Sequence, residues 1–252
     1  MQSEAMMAAA YSSSAEARAV RDIFFQEAGF VIKSIFSADE RTQAYKLRHR
    51  IYCDELGWVP RSDSLIEIDQ YDSHTAFIGV FDQADSLVGF MRMALPGAPF
   101  MIEKEFSCLI GPWHKIRKEL DTSEATRACV AQRARGVSVR GNFGVHRLFM
   151  LVCKGIYHWC CLNNVRYVYM VVEDIMYRML RAKGFYGHLV GEPVKMPDGC
   201  LAMAAVIDWK EYISTNSLKR PEFTKWFSQY RSDHYEEPLP RPEFYSPPRV
   251  FP

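Results

Sequence analysis

The segment TAFIGVFDQADSLVGFMRMAL, residues 75–95, carries the fold. Two runs of aromatic, β-branched and other apolar side chains flank a polar turn at residues 82–86, the pattern of a β-hairpin. Upstream, GFVIKSIF (residues 29–36) has the same β-rich character. Ser37 followed three residues later by Glu40 matches a capping box, which predicts a helix to about residue 54. Within it Ala44, Leu47, Ile51 and Leu56 recur at helical spacing, leaving Arg48 and Tyr52 on an adjoining face. Residues 58–72 form a loop. Downstream, a short helical segment after residues 96–99 and a loop rich in Lys and Glu lead to a strand at 126–131.

A long helix is predicted over residues 143–164, with Val145, Leu148, Phe149, Val152, Ile156 and Trp159 apolar. RYVYMVV (166–172) is a continuous β-former run, as in a strand buried on both faces. Residues 174–183 read as a helix stopped by Gly184. Strands follow at 185–191 and 200–208, a turn at 197–199, and helices at 208–217 and 221–230. A helix before a hairpin, and a β–α–β unit later, indicate an α/β or α+β sheet protein. The chain divides into a flexible segment at 1–25, a main domain at 26–215, and a C-terminal helix with a Pro-rich extension at 216–252. That extension, from Glu236, holds six of the chain's 13 prolines and is expected to be extended.

A net charge of +1 gives no electrostatic reason to expect nucleic acid or a membrane surface as partner. No apolar run approaches the roughly 20 residues that span a bilayer. The N-terminus lacks a basic stretch leading into a long apolar one, so it does not read as a signal peptide and a cytoplasmic location is expected. Seven cysteines, an odd number without any CxxC or zinc-type spacing, predict free thiols in a reducing compartment and no metal.

The informative residues are charges set into otherwise apolar elements: Arg48, Asp69, Asp72, Arg92, Glu124 and Arg127, with Trp58 nearby. A buried charge without a partner costs several kcal/mol, so such charges imply mutual pairing or a charged ligand. Asp69 and Asp72, three apart, suit either a solvated turn, an arginine partner or a substrate cation. Arg48 and Arg92 can each fork two hydrogen bonds to a carboxylate. Glu124 and Arg127 suit a rim salt bridge or the wall of a cleft holding an amine and a carboxylate.

The order and spacing of these residues resemble the acyl-homoserine-lactone synthases, the quorum-sensing autoinducer synthase family. The family's Arg, aromatic and Trp fall on Arg48, Tyr52 and Trp58. Its E-x-D-x-[YF]-D block falls on Glu67, Asp69, Tyr71 and Asp72, its next-strand Arg on Arg92, a Phe on Phe106, and its E-x-x-R pair on Glu124 and Arg127. The resemblance covers roughly residues 30–210 and is strongest between 48 and 127. Tyr52 replaces the commoner Phe, and Ala128-Cys129 replaces a bulky aromatic.

The resemblance implies a GNAT-like acyltransferase fold, a V-shaped twisted mixed sheet flanked by helices, with residues 26–215 as the acyltransferase domain. It implies an acyl thioester donor, on acyl-carrier protein or coenzyme A, and S-adenosylmethionine as amine acceptor, with lactonisation releasing methylthioadenosine and no cofactor. Glu124, Arg127 and Arg92 would be catalytic; Arg48, Tyr52, Trp58, Asp69, Asp72 and Phe106 would bind the acceptor. Met150, Val152, Val168, Met170 and Val172 would line the acyl pocket, and Met170 in place of Thr leans toward an unsubstituted or 3-hydroxy chain. No Asp or Glu lies between Glu124 and Glu173, and Arg133, Arg135, Arg140, Arg147 and Lys154 in that gap would attract an acidic carrier protein or an anionic coenzyme A. The alternative is an N-acyl amino acid synthase, which takes a free amino acid and an acyl-carrier protein on the same fold.

Overall fold

The computed structural model describes residues 20–141 and 144–230. The expected flexible segment lies outside these residues up to position 19, as does the Pro-rich tail from Glu236. The strands are β1 (Phe24–Glu27), β2 (Phe30–Ser34), β3 (Thr75–Phe81), β4 (Leu87–Ala94), β5 (Thr122–Val130), β6 (Ser138–Gly141), β7 (Gly144–Arg147), β8 (Tyr167–Glu173), β9 (His188–Leu189), β10 (Val194–Lys195) and β11 (Leu201–Asp208). The helices are α1 (Ala38–Arg48), α2 (Met101–Lys104), α3 (Phe149–Leu162), α4 (Asp174–Ala182), α5 (Trp209–Lys219) and α6 (Pro221–Ser228).

The expected hairpin is β3–β4. Its turn is held by the Asp82 carboxylate, which accepts the Ala84 and Ser86 N–H groups at 3.0 Å each. The main sheet runs β1-β2-β3-β4-β5-β8-β11-β10, with β9 also on β11. Neighbours are antiparallel except β5 and β8, which run parallel. Their register extends from Thr122↔Tyr167 to Ala125↔Met170 and stops there, so the C-terminal halves of both strands part. That parting is the V of the sheet.

Alternation along β8 divides its side chains between two cores. Val168, Met170 and Val172 pack with α3 in the larger cluster. Tyr169 and Val171 face the other way, toward Phe100, Ile102, Phe106 and Leu109. Glu124 pairs with Tyr169 and therefore shares that second face.

Three boundaries differ from expectation. The long helix begins at Phe149, because residues 138–147 first pair as the β6–β7 hairpin; Val145 is exposed there, and Gly144 has φ +121°. The β5 strand begins at Thr122, four residues early: its polar SEAT sequence hides a segment paired on both edges. Of residues 185–191 the strand itself is only His188–Leu189, to which the Val190 N–H adds one bond to Ala204 O at 3.0 Å. Leu56, expected on the apolar helical stripe, is exposed, since the helix has changed its winding before reaching it.

Helix α5 runs across the expected boundary at 215, its N-terminus capped by Asp208 accepting from the Lys210 and Glu211 amides. Pro221 opens α6, where its fixed φ suits a first helical turn. Trp226 and Phe227 are buried in the main core, the latter against Tyr157, Phe185, Trp209 and Tyr212. Among the described residues no helix is long and apolar enough to cross a membrane.

Candidate active site

Three arginines reach one place from three elements. Arg48 is the last residue of α1, beyond which the helix widens into a π-helical stretch, His49–Glu55. Local winding of this kind recurs at functional sites. Arg92 comes from the middle of β4 and Arg127 from β5. Arg48 and Arg92 are fully buried, at 0% exposure, with their charged ends wrapped in aromatic rings: Tyr45, Phe77 and Phe90 around Arg48, Tyr71 beside Arg92.

A bulge makes the convergence possible. Pairing between β4 and β5 passes from Arg92↔Thr126 to Phe90↔Cys129, so Arg127 and Ala128 together oppose Met91. Successive strand residues normally point to opposite faces. Here Thr126 Oγ1 accepts from Arg92 Nε at 2.9 Å, while Arg127, its neighbour, turns to Asp69, a carboxylate that Arg92 also holds. The backbone adopts φ +56° at Arg127 to do so, a left-handed conformation that costs a non-glycine residue about 1 kcal/mol or more.

The EIDQYD block supplies the opposing charge. Arg48 donates through Nε to Glu67 and through Nη1 to Asp72 Oδ1 at 2.7 Å. Arg92 Nη1 donates to Asp69 Oδ1 at 2.5 Å and to Asp72 Oδ1 at 2.7 Å. Arg127 Nη2 donates to Glu67 Oε1 at 3.0 Å and to Asp69 Oδ2 at 2.9 Å. The one carboxylate oxygen without a guanidinium, Asp72 Oδ2, accepts the Asp69 N–H at 2.9 Å. Three positive and three negative charges thus cancel, which is what permits their burial. Burial works against Asp69 ionising, but the hydrogen bond and charge of Arg92, with Arg127, hold its carboxyl below the ordinary range. Arg48 Nη2 has no hydrogen-bond partner and lies 3.8 Å from Asp69 Oδ2.

Glu124 stands apart from this network. It is 1% exposed and makes no pair with Arg127. Its two oxygens accept the Met101 and Ile102 N–H groups, at 2.6 and 2.8 Å, and so cap the single turn of α2. Burial pushes its pKa up to about 7, against the lowering effect of those two amides and of Arg92. A carboxyl poised there can exchange a proton near neutral pH.

The other expected residues fall as follows. Tyr52 is buried, donates its hydroxyl to Ala128 O at 2.8 Å and lies under the Arg127 guanidinium, 5.3 Å from its ring centre. Trp58 is 43% exposed at the edge of the site, tilted against Tyr52 with ring centres 6.0 Å apart. Phe106 packs on the second core. Met150, Val168, Met170 and Val172 all belong to the larger core, and the three β8 residues face away from Glu124. Arg133, Arg135, Arg140 and Arg147 are on the surface; Arg133 pairs with Asp82, Arg135 with Glu55, and Arg147 donates to Gly136 O. Lys154 does not join them: it is 1% exposed, ion-paired to Glu27 at 2.9 Å beneath Phe25 and Trp226, because position 154 faces inward on α3.

Residue types alone understated three contributors. Glu67 bridges Arg48 and Arg127, and its signal was its place in the acidic block. Met101 sets its sulfur 2.9 Å from Arg92 Nη2, and Thr126 fixes Arg92 Nε; neither has a sequence signature. All seven cysteines are free, and among the described residues no cluster of His, Cys, Asp or Glu is arranged to hold a metal.

The autoinducer synthase family model matches residues 33–213. A probable acyl-homoserine-lactone synthase of Sinorhizobium fredii (strain NBRC 101917 / NGR234) is 25% identical over 150 residues, 59% of this chain and 71% of that protein. Among solved structures, BjaI, a CoA-dependent acyl-homoserine lactone synthase with MTA, superposes with a TM-score of 0.62 at 20% identity, covering 72% of this chain and 82% of its own. TofI, in a ternary complex with an inhibitor and MTA, gives 0.58 at 22% identity over 75% and 91%. The likeness to these structures is one of fold, and the acyltransferase-type mixed sheet that the family resemblance implied is the architecture found.

Proposed function

The chain belongs to the autoinducer synthase family and is an acyltransferase, and we propose that it acylates the α-amine of S-adenosylmethionine and closes the product to an acyl-homoserine lactone. One observation carries this reading: a buried carboxyl poised near pH 7, Glu124, beside a neutralised network of three arginines and three carboxylates. BjaI and TofI were solved with MTA, and methylthioadenosine is the thioether this reaction releases.

An α-ammonium titrates near 8, so a neighbouring base with a pKa of about 7 takes its proton at modest cost. The free amine then attacks the carbonyl of an acyl thioester lying in the parting of β5 and β8. The new N–C bond forms, the C–S bond breaks, and the thiol leaves with a proton. The acyl chain extends toward Met150, Val168, Met170 and Val172 on the α3 side. Backbone N–H groups at the Arg127–Ala128 bulge would steady the oxyanion. In the second step a methionyl carboxylate oxygen attacks its own γ-carbon. The carbon–sulfonium bond breaks, and neutral methylthioadenosine departs.

Arg48, Arg92 and Arg127 act here by holding Asp69, Asp72 and Glu67 rigid. Trp58, exposed and beside Tyr52, is the ring for the adenine to stack on. The donor is a phosphopantetheine thioester, on a carrier protein or coenzyme A, and the exposed arginines at 133, 135, 140 and 147 suit either anion. Purified protein supplied with S-adenosylmethionine and an acyl thioester should release free thiol and methylthioadenosine in equal amounts. Thiol without methylthioadenosine, with a free amino acid as acceptor, would instead make it an N-acyl amino acid synthase.

A further inference from the structure

The six charges of the network cancel, so they leave no net attraction for a cationic acceptor. Two carboxylates nearby have no ion-pair partner among the described residues. Glu124 accepts only from backbone amides. Glu105 Oε1 accepts only from the Tyr71 hydroxyl at 3.0 Å and the Gln70 side-chain amide at 3.3 Å, both neutral donors. The two lie at opposite ends of one turn of helix: Glu124 caps the N-terminus of α2, and the Glu105 N–H closes its C-terminus on Met101 O at 2.8 Å. Four residues of helix span about 6 Å. Both negative charges act on the buried Tyr71 hydroxyl: burial first, then Glu105 and Glu124, push its pKa up to about 12.

We propose that Glu105 is a specificity-determining residue that selects an acceptor bearing a second positive centre. This rests on the reading of S-adenosylmethionine as acceptor. That molecule carries an ammonium and a sulfonium separated by three carbons, a span of the order of the four-residue turn whose N-terminus Glu124 caps and which the Glu105 residue closes. Glu124 faces the ammonium and Glu105 the sulfonium. A zwitterionic amino acid, or the same nucleoside with a neutral thioether, has no charge to offer Glu105. Because Glu105 is exposed, solvent screens the attraction, and the discrimination it adds is about fivefold.

The test is calorimetric titration of the full chain with S-adenosylmethionine and with S-adenosylhomocysteine, its uncharged-sulfur analogue. Wild-type protein should prefer the sulfonium. Glu105→Gln should reduce that preference about fivefold while leaving affinity for S-adenosylhomocysteine within twofold. Glu119→Gln, which removes the same unit of charge from an exposed site elsewhere, should leave the preference intact. A ratio unchanged in Glu105→Gln, or reduced equally by Glu119→Gln, overturns the assignment. If the wild-type protein binds neither nucleoside, the acceptor reading itself falls, and this inference with it.

Discussion

Replacing Glu124 with Gln separates the proton-transfer role of this carboxyl from its capping role. A glutamine keeps one acceptor oxygen and presents an amide NH2 in place of the other. One of the Met101 and Ile102 N–H groups then loses its partner, at about 1–3 kcal/mol for a buried donor. Against that, the wild-type protein carries a cost that the variant lacks. The Glu124 pKa is raised from 4.5 to about 7 in the fold, so between those values the native state binds more protons than the unfolded chain. Stability therefore falls as pH rises through that window, by about 3 kcal/mol in order of magnitude. The two effects nearly offset above pH 7. Melting curves should show Glu124→Gln less stable than wild type at pH 5 and comparable at pH 8. At pH 8 its turnover, followed by thiol release, should nonetheless be at least about a hundredfold lower, the loss expected for a general base. The wild-type kcat/KM should climb through pH 7 as Glu124 deprotonates, and the variant should lack that limb. Turnover within threefold of wild type, or an acidic limb that survives the substitution, would refute the assignment of Glu124 as base.

Other substitutions probe the framework. Arg92→Met strands Asp69 and Asp72 with one fewer cation in a buried setting, and chemical denaturation should report a loss of about 3–5 kcal/mol. At Arg127, where φ is +56°, the glycine variant should be more stable than the alanine variant by about 1 kcal/mol, although both lose the ion pairs; equal stability would remove the case for backbone strain. Trp226→Ala in α6 opens a cavity in the aromatic core and should cost about 3–5 kcal/mol, measurable as a lowered urea midpoint. Gly184→Ala places a Cβ 2.2 Å from Asn216 Oδ1 at φ +93°, so a variant as stable as wild type would contradict the packing of α5 against that turn.

Periodicity and turn chemistry served well where an element is amphipathic or bounded by strong signals. The β3–β4 hairpin, the Ser37 cap and the Gly184 stop all stand where residues 75–95, 37–40 and 184 placed them. They failed where local preference yields to pairing partners distant in the chain. The sequence GVSVRGNFGVHR holds enough apolar residues to pass for the start of a helix, yet its glycines and β-branched residues let it fold back as β6–β7. Lys154 looked like one more surface cation because a lone charge in an apolar helix carries no mark of its facing. Its partner, Glu27, is 127 residues away.

The chain alone marked Arg48, Asp69, Asp72, Arg92, Glu124 and Arg127 as charges set into apolar elements, which need a partner or a charged ligand, and the order of its motifs assigned them to one site. Which of them pair, and which is left to react, was decided only by the tertiary fold. Parallel pairing that stops at Ala125↔Met170 and a bulge at Arg127 turn adjacent side chains to one face. Glu67 is drawn into the ion network while Glu124 is held on backbone amides. Pairing energies fall off within a few ångströms, so a displacement too small to be written in residue order separates a neutralised carboxylate from a titratable one.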